Sequence, residues 1–109
     1  MGDRAVITAS KSKTTGVGIY IHWGGDPEVV QTFLDEARDL GYRDPATHES
    51  YAMAKLCGLI CARTGIESDS GVGIGQLKEL DCDNHDNGVY VIGKDWKIVS
   101  RWGSGSDSK

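Results

Sequence analysis

A junction between a strand and a helix near residue 25 constrains the fold of this chain more than any other feature. The β-prone run 19–23 ends at Gly24 and Gly25, and Asp26 and Pro27 follow directly. Asp is a preferred N-cap residue, and Pro is favoured at the first helical position because its missing N–H is not needed there. The sequence therefore predicts that a strand gives way to a helix at this junction.

The same junction is where we expect a ligand to bind. Glycines let the backbone approach a ligand closely, and the first N–H groups of a helix attract anions. We expect backbone contacts to a ligand from Gly24, Gly25 and Asp26. His22 is expected to contact a phosphate, and Trp23 to stack on a planar base. The alternative interpretation is a structural turn flanked by a packed Trp.

Length and charge narrow the possible functions. A chain of 109 residues is long enough for one hydrophobic core, so we expect a single domain over residues 1–102 and a disordered polar tail over 103–109. The net charge of −4 makes binding to a nucleic acid polymer unlikely on electrostatic grounds. Three cysteines without a C-x-x-C pair indicate a reduced, cytoplasmic protein, and no apolar run approaches the roughly 20 residues of a membrane span.

Hydrophobic periodicity predicts the order of the elements. Two short β-prone runs, 4–9 and 17–23, precede a one-sided amphipathic helix that begins at Pro27 and ends at Gly41. A second, more uniformly apolar helix follows over about 47–63, then a weak strand around 72–74 and a final hairpin. This β-β-α-α-(β)-β-β order favours an α+β fold: a mostly antiparallel sheet with both helices packed on one face.

The most polar loop of the chain offers a weak metal site. Its candidate ligands are Asp81, Asp83, His85 and Asp86. The register of a calcium-binding loop fails, because Lys94 stands where a bidentate Glu is required. The structural alternative is that Asp and Asn side chains bond their own backbone here and hold the entry to the last hairpin. We therefore expect no metal and no cofactor.

Two residues of the last hairpin complete the candidate ligand site. Trp96 lies at the predicted hairpin tip, where an indole is often only partly covered, and is expected to stack on a base. Arg101 supplies a guanidinium group that suits a phosphate, provided that the hairpin lies near the Gly24-Gly25 turn. No Ser or Cys has the sequence context of a nucleophile, so we favour a binding protein over an enzyme.

Two blocks of the sequence resemble a known group of proteins. The turn Tyr20-x-His22-Trp23-x-Gly25 and the block over 80–92, Leu-Asp-Cys-Asp-Asn-x-Asp-Asn-Gly-Val-Tyr-x-Ile, are similar to those of short, functionally uncharacterised proteins of phages and prophages of gut Firmicutes. The resemblance implies an accessory protein that acts in the bacterial cytoplasm. By analogy of setting alone, we expect a sponge for a small anionic nucleotide of host immunity.

Two other functions and one assembly state are compatible with the sequence. An acidic surface on the first helix, with Glu28, Asp35, Glu36 and Asp39, is together with the acidic loop the basis for a protein-binding inhibitor of a host factor. The acidic loop is the basis for a metal-dependent phosphodiesterase. Apolar residues on nearly every side of the second helix predict an exposed patch and a homo-oligomer, at least a dimer. They are Met53, Leu56, Leu59, Ile60 and Ala62.

Overall fold

A computed structural model describes residues 3–64 and 71–103 as a five-stranded sheet with two α-helices, which confirms the predicted α+β class. The strands are β1 (Ala5–Thr8), β2 (Val17–Ile21), β3 (Val72–Gln76), β4 (Val89–Gly93) and β5 (Lys97–Trp102). The helices are α1 (Pro27–Asp39) and α2 (Glu49–Thr64). The predicted tail lies outside the described residues apart from Gly103.

The sheet is mostly antiparallel, as the sequence predicts. Its strand order is β3-β2-β1-β4-β5, and β1 lies at its centre. Strand β1 pairs antiparallel with β2 and parallel with β4, while β2–β3 and β4–β5 are antiparallel. The weak strand at 72–74 is therefore a regular edge strand, and β1 and β4 form the parallel pair.

Helix α1 begins as its sequence predicts. The Asp26 carboxylate accepts a hydrogen bond of 3.0 Å from the Val29 N–H, and Pro27 occupies the first helical position. Its buried side chains, Val30, Leu34 and Ala37, recur every three or four residues and face the core. The helix ends at Asp39, two residues before Gly41, whose φ of +79° suits a residue that ends a helix.

Helix α2 is buried within the chain more completely than we expected. Met53, Leu56, Leu59 and Ile60 are each at most 5% exposed, because α2 packs against both the sheet and α1. Ala62 is exposed. Our prediction of an exposed patch formed by these large apolar side chains is therefore wrong.

The two faces of the sheet bury separate clusters. The helices cover the face with Ile7, Ile19 and Tyr90. On the other face, Val6 and Val89 are covered by Leu77 and by the segment that follows it. This second face therefore packs against a short 3₁₀ turn and the acidic loop, so that both faces of the central strand are buried.

Candidate functional site

The glycine corner, residues 22–26, joins β2 to α1 and is fixed by the N-terminal segment. The N–H of Asp3 donates to the His22 carbonyl at 3.0 Å, and the Gly25 N–H donates to the Asp3 carbonyl at 2.9 Å. A Cβ on Gly25 would overlap that carbonyl oxygen and come 2.8 Å from the Ala5 Cβ. Gly24 has a φ of +73°, which favours glycine. Both glycines are thus required by the path of the chain.

The helix end at this corner is already capped. The Asp26 carboxylate bonds the Val29 N–H and places a negative charge at the N-terminus of α1. The Gly25 N–H is also engaged, whereas that of Gly24 has no hydrogen-bond partner among the described residues. Of the three residues expected to supply backbone contacts, Gly24 and Asp26 have N–H groups without a partner among the described residues, whereas the Gly25 N–H is bonded within the chain.

An aromatic set lies beside the corner. The Trp23 side chain is 58% exposed, and its ring contacts the His22 ring edge-on with 4.7 Å between centroids. The Tyr20 hydroxyl oxygen lies 3.1 Å from Nδ1 of His22 and fixes the imidazole. Burial raises the pKa of Tyr20, so this hydroxyl stays protonated near neutral pH. The exposed indole of Trp23 therefore contacts an imidazole that is half-buried and held in one orientation.

Trp96, in contrast, presents no ring to a ligand. The connection between β4 and β5 holds Asp95 and Trp96 at φ of +63° and +60°, and the indole is 1% exposed in the main core. Its Nε1–H donates to the Tyr42 carbonyl at 3.3 Å. Our expectation that Trp96 stacks on a base is therefore incorrect, because the hairpin tip folds back over α1 instead of projecting into solvent.

Arg101 is connected to the glycine corner through Tyr90, a residue that the sequence did not indicate. Its guanidinium carbon is 4.5 Å from the centre of the Tyr90 ring, and the Tyr90 hydroxyl donates to the Gly25 carbonyl at 2.7 Å. Burial raises the pKa of Tyr90 to about 12. Tyr90 faces the helices, whereas Tyr20 packs on the opposite sheet face with His22 beside it. The structure thus separates Arg101 from His22.

A polar cluster surrounds the Arg101 side chain. Its Nη2 donates to the Asn87 carbonyl at 2.7 Å, and Asn87 Nδ2 donates to the Asp3 carboxylate at 2.6 Å. Arg101 Nε and Asn87 Oδ1 are buried and have no hydrogen-bond partner in the described part of the chain. Asn87 and Gly88 directly precede β4, and this pair of residues predicts a turn. Nothing in the sequence indicates that Asn87 and Arg101 form a polar cluster.

The acidic loop does not assemble a metal site. Asp86 Oδ2 accepts hydrogen bonds from Arg4 N at 3.0 Å and from Arg4 Nε at 2.9 Å, and Asp81 lies 3.4 Å from Arg4 Nη1. These bonds hold the pKa of Asp86 below its usual value. Asp83 and His85 are exposed, and residues 3–64 and 71–103 contain no group of three or more potential ligands placed to hold a metal ion. The metal hypothesis therefore loses its geometric basis.

Two neighbouring arginines partly neutralise the acidic surface of α1. Arg38 lies 3.4 Å from the Asp35 carboxylate and 3.6 Å from that of Asp39. Arg63 of α2 pairs with Glu36 and holds the pKa of that carboxyl below its usual value. An inhibitor that presents this surface to a basic groove gains less electrostatic attraction than the sequence suggests.

Comparison with protein families, with curated proteins and with solved structures found no match for this chain. In the part of the chain that the structure describes, no helix is both long enough and apolar enough to cross a membrane. The function must therefore be argued from the glycine corner and the aromatic set beside it.

Proposed function

We propose that this protein is a non-enzymatic binder that sequesters a small anionic nucleotide. The observation that carries the proposal is the Trp23 indole, 58% exposed beside a half-buried histidine at a glycine turn. A large exposed indole that rests on an oriented side chain offers a flat apolar surface at little cost in conformational freedom. Nucleobases stack on such surfaces, with a contribution of about 1–3 kcal/mol per base.

Polar groups for a phosphate lie next to this indole. His22 uses Nδ1 toward Tyr20, and its Nε2 has no hydrogen-bond partner among the described residues. The free N–H of Gly24 belongs to the same corner. In the proposed complex the base stacks on Trp23, and a phosphate accepts hydrogen bonds from Gly24 N–H and His22 Nε2–H.

The proposed protein binds the ligand without cleaving it, because the ionisable side chains at the corner already have hydrogen-bond partners in the fold. The carboxylates at this corner belong to Asp26, which accepts from the Val29 N–H, and to Asp3, which accepts from Asn87 Nδ2. The His22 imidazole uses Nδ1 toward the Tyr20 hydroxyl. General base catalysis requires a group free to take a proton from a positioned nucleophile. Because these groups already have hydrogen-bond partners in the fold, the proposed role is binding.

The proposed setting is the cytoplasm of a bacterial host. The resemblance to short phage and prophage proteins supports a role in countering host antiviral defence, with a cyclic oligonucleotide or a cyclic ADP-ribose-type messenger as ligand. The proposal includes a homo-oligomer, since two corners in one assembly would capture a ligand with two phosphates or two bases more tightly.

Isothermal titration calorimetry of the full chain tests this function. Cyclic dinucleotides, cyclic trinucleotides and cyclic ADP-ribose isomers form the panel, and we expect at least one to bind with quenching of Trp fluorescence. The ligand recovered after denaturation should be chemically unchanged. Absence of binding across the panel contradicts the proposal, and recovery of a cleaved ligand replaces the binder with an enzyme.

A matched pair of variants locates the site. Trp23→Ala should weaken binding about 5- to 150-fold, since stacking contributes about 1–3 kcal/mol and about 1.4 kcal/mol corresponds to a factor of ten. Tyr51→Ala removes an aromatic side chain that is 57% exposed on α2 and should leave the affinity unchanged. Equal losses in both variants would show that the ligand does not stack on Trp23.

A further inference from the structure

The outer edge of β3 has backbone hydrogen-bonding groups without a partner among the described residues, 3–64 and 71–103. The His22 N–H donates to the Gly71 carbonyl at 3.1 Å, which defines a hydrogen-bonded pair between the segments flanking β2 and β3. Such pairs alternate along an antiparallel ladder, so Gly73 and Gly75 direct their backbone groups toward β2. The alternate residues direct theirs away from the sheet: Val72, Ile74 and Gln76. No other strand of the described chain pairs with this edge.

This edge lacks the features that keep strands from pairing with other chains. Strand β3 contains no charged residue, no proline and no bulge, and the Ile74 side chain is 54% exposed. The opposite edge of the sheet, β5, carries Lys97 and Arg101, and its pairing with β4 is irregular between Val91 and Ile92. Only one edge of the sheet is therefore open to addition of a strand.

The β3 sequence is nearly self-complementary about its centre. In an antiparallel pair centred on Ile74, Val72 of one copy faces Gln76 of the other, and Gly73 faces Gly75. Ile74 pairs with its own counterpart. Since Val72, Ile74 and Gln76 each exchange two hydrogen bonds in this register, the pair gains about six. A closed two-fold interface requires a patch that matches itself in this way.

The surface beside this edge is mostly apolar. A groove of about 370 Å³ lies between β3 and α2, and its lining includes Val17, Met53, Ala54 and Ile74 together with Ser50 and one charged residue, Glu49. Along α2, Ser50, Ala54 and Gly58 are exposed at intervals of four residues and therefore share one side of the helix. In the two-fold arrangement, the partner's β3 closes the open side of the groove.

Strand pairing alone does not bury enough area for a stable dimer, so the interface must also include this surface of α2. A five-residue strand is about 17 Å long, so strand pairing alone covers far less than the roughly 800 Å² per partner of a standard interface. Small side chains let two helices approach closely, and α2 packs on the part of the sheet that contains β2 and β3. The two copies of α2 thus lie side by side above the joined strands.

We infer that two copies of this chain associate through β3 and the adjacent small-residue side of α2, forming one continuous ten-stranded sheet. This inference assigns a surface to the homo-oligomer of the proposed function. It does not depend on ligand binding, because it is tested without ligand.

Light scattering coupled to size-exclusion chromatography tests the inference on the full chain at micromolar concentration. We expect a mass of twice 11.7 kDa. Ile74→Pro should give the monomer mass, because proline lacks only the N–H that points outward from β3 and leaves the pairing with β2 intact. Circular dichroism verifies that the variant is folded.

A matched pair of lysine variants gives a second test. Ile74→Lys should produce a monomer, whereas Val99→Lys, at a residue 57% exposed on the opposite edge strand, should remain a dimer. A wild-type chain of monomer mass overturns the inference. A dimer that persists in both folded Ile74 variants also overturns it, since the interface then lies elsewhere.

Discussion

The side chain of Asn84 is predicted to be the main support of the acidic loop. This residue is 1% exposed, and both ends of its amide are used. Its Nδ2 donates to the carbonyls of Asp81 at 3.0 Å and Gly88 at 3.2 Å. Its Oδ1 accepts from the N–H groups of Asp86, Asn87 and Gly88 at 3.0–3.1 Å. Asn84→Ala removes all five hydrogen bonds at once.

The expected loss of stability follows from the number of hydrogen bonds removed and the net contribution of each to the free energy of unfolding. At about 1 kcal/mol per bond, the loss of five gives about 5 kcal/mol. The Asn87 N–H keeps a second acceptor, the Arg4 carbonyl at 3.1 Å, and the part-buried groups of Asp81 and Asp86 regain hydrogen bonds to water. We therefore expect the free energy of unfolding to fall by about 3–4 kcal/mol. Domains of this size are stabilised by about 5–15 kcal/mol in total. The variant should therefore be folded but markedly less stable.

Urea denaturation followed by circular dichroism at pH 7 measures this loss. Asn84→Asp keeps an acceptor for the three N–H groups but loses both donated bonds, so its stability should lie between those of the wild type and the Ala variant. Asp83→Ala changes an exposed neighbour and should cost less than about 1 kcal/mol. If Asn84→Ala costs no more than this control, the loop does not depend on the buried amide.

Two further predictions concern charge and close packing. The folded-state pKa of Asp86 lies below its unfolded value of about 3.9 because of Arg4, so the stabilisation is complete at pH 7 and is lost as the pH falls through the folded pKa. Arg4→Met should therefore lower the urea midpoint at pH 7 but not at about pH 2, and an equal difference at both pH values would contradict this origin. Gly25→Ala forces a methyl group onto the Asp3 carbonyl and should cost about 1–3 kcal/mol. The methyl group of Gly58→Ala enters open space on a helix, so this variant should raise the free energy of unfolding by about 0.5–1 kcal/mol. Thermal denaturation that ranks the Gly25 and Gly58 variants in the opposite order would refute the packing argument.

Local signals in the sequence predicted the helices and hairpins well. The start of α1 depends on Asp26 and Pro27, two neighbours whose preferences act within one turn of the chain. The final hairpin follows from two β-prone runs separated by a short connection. Such features need no knowledge of the rest of the molecule, and the structure confirms them.

Features that depend on distant parts of the chain were not predictable in the same way. The parallel pairing of β1 with β4 joins residues more than 80 positions apart, and neither strand carries a sign of its partner. The burial of Val6 and Val89 depends on Leu77, which comes from a segment whose short apolar pattern fits either a helical turn or an extended strand. The sequence shows that α2 is apolar on most of its sides. It does not show that the sheet and α1 together cover the large side chains of this helix.

The contacts of Arg101 bear on how a ligand could bind at the corner. The sequence left open whether Arg101 lies near the Gly25 turn, and in the structure its guanidinium stacks on Tyr90 and bonds the Asn87 carbonyl. Because Arg101 and His22 lie on opposite faces of the sheet, one phosphate cannot bridge them. Binding at Trp23 must then draw on stacking more than on charge, and its affinity should depend only weakly on salt. Calorimetry at low and high salt checks this, since a steep loss of affinity with salt would show that charge contributes more to binding than stacking does.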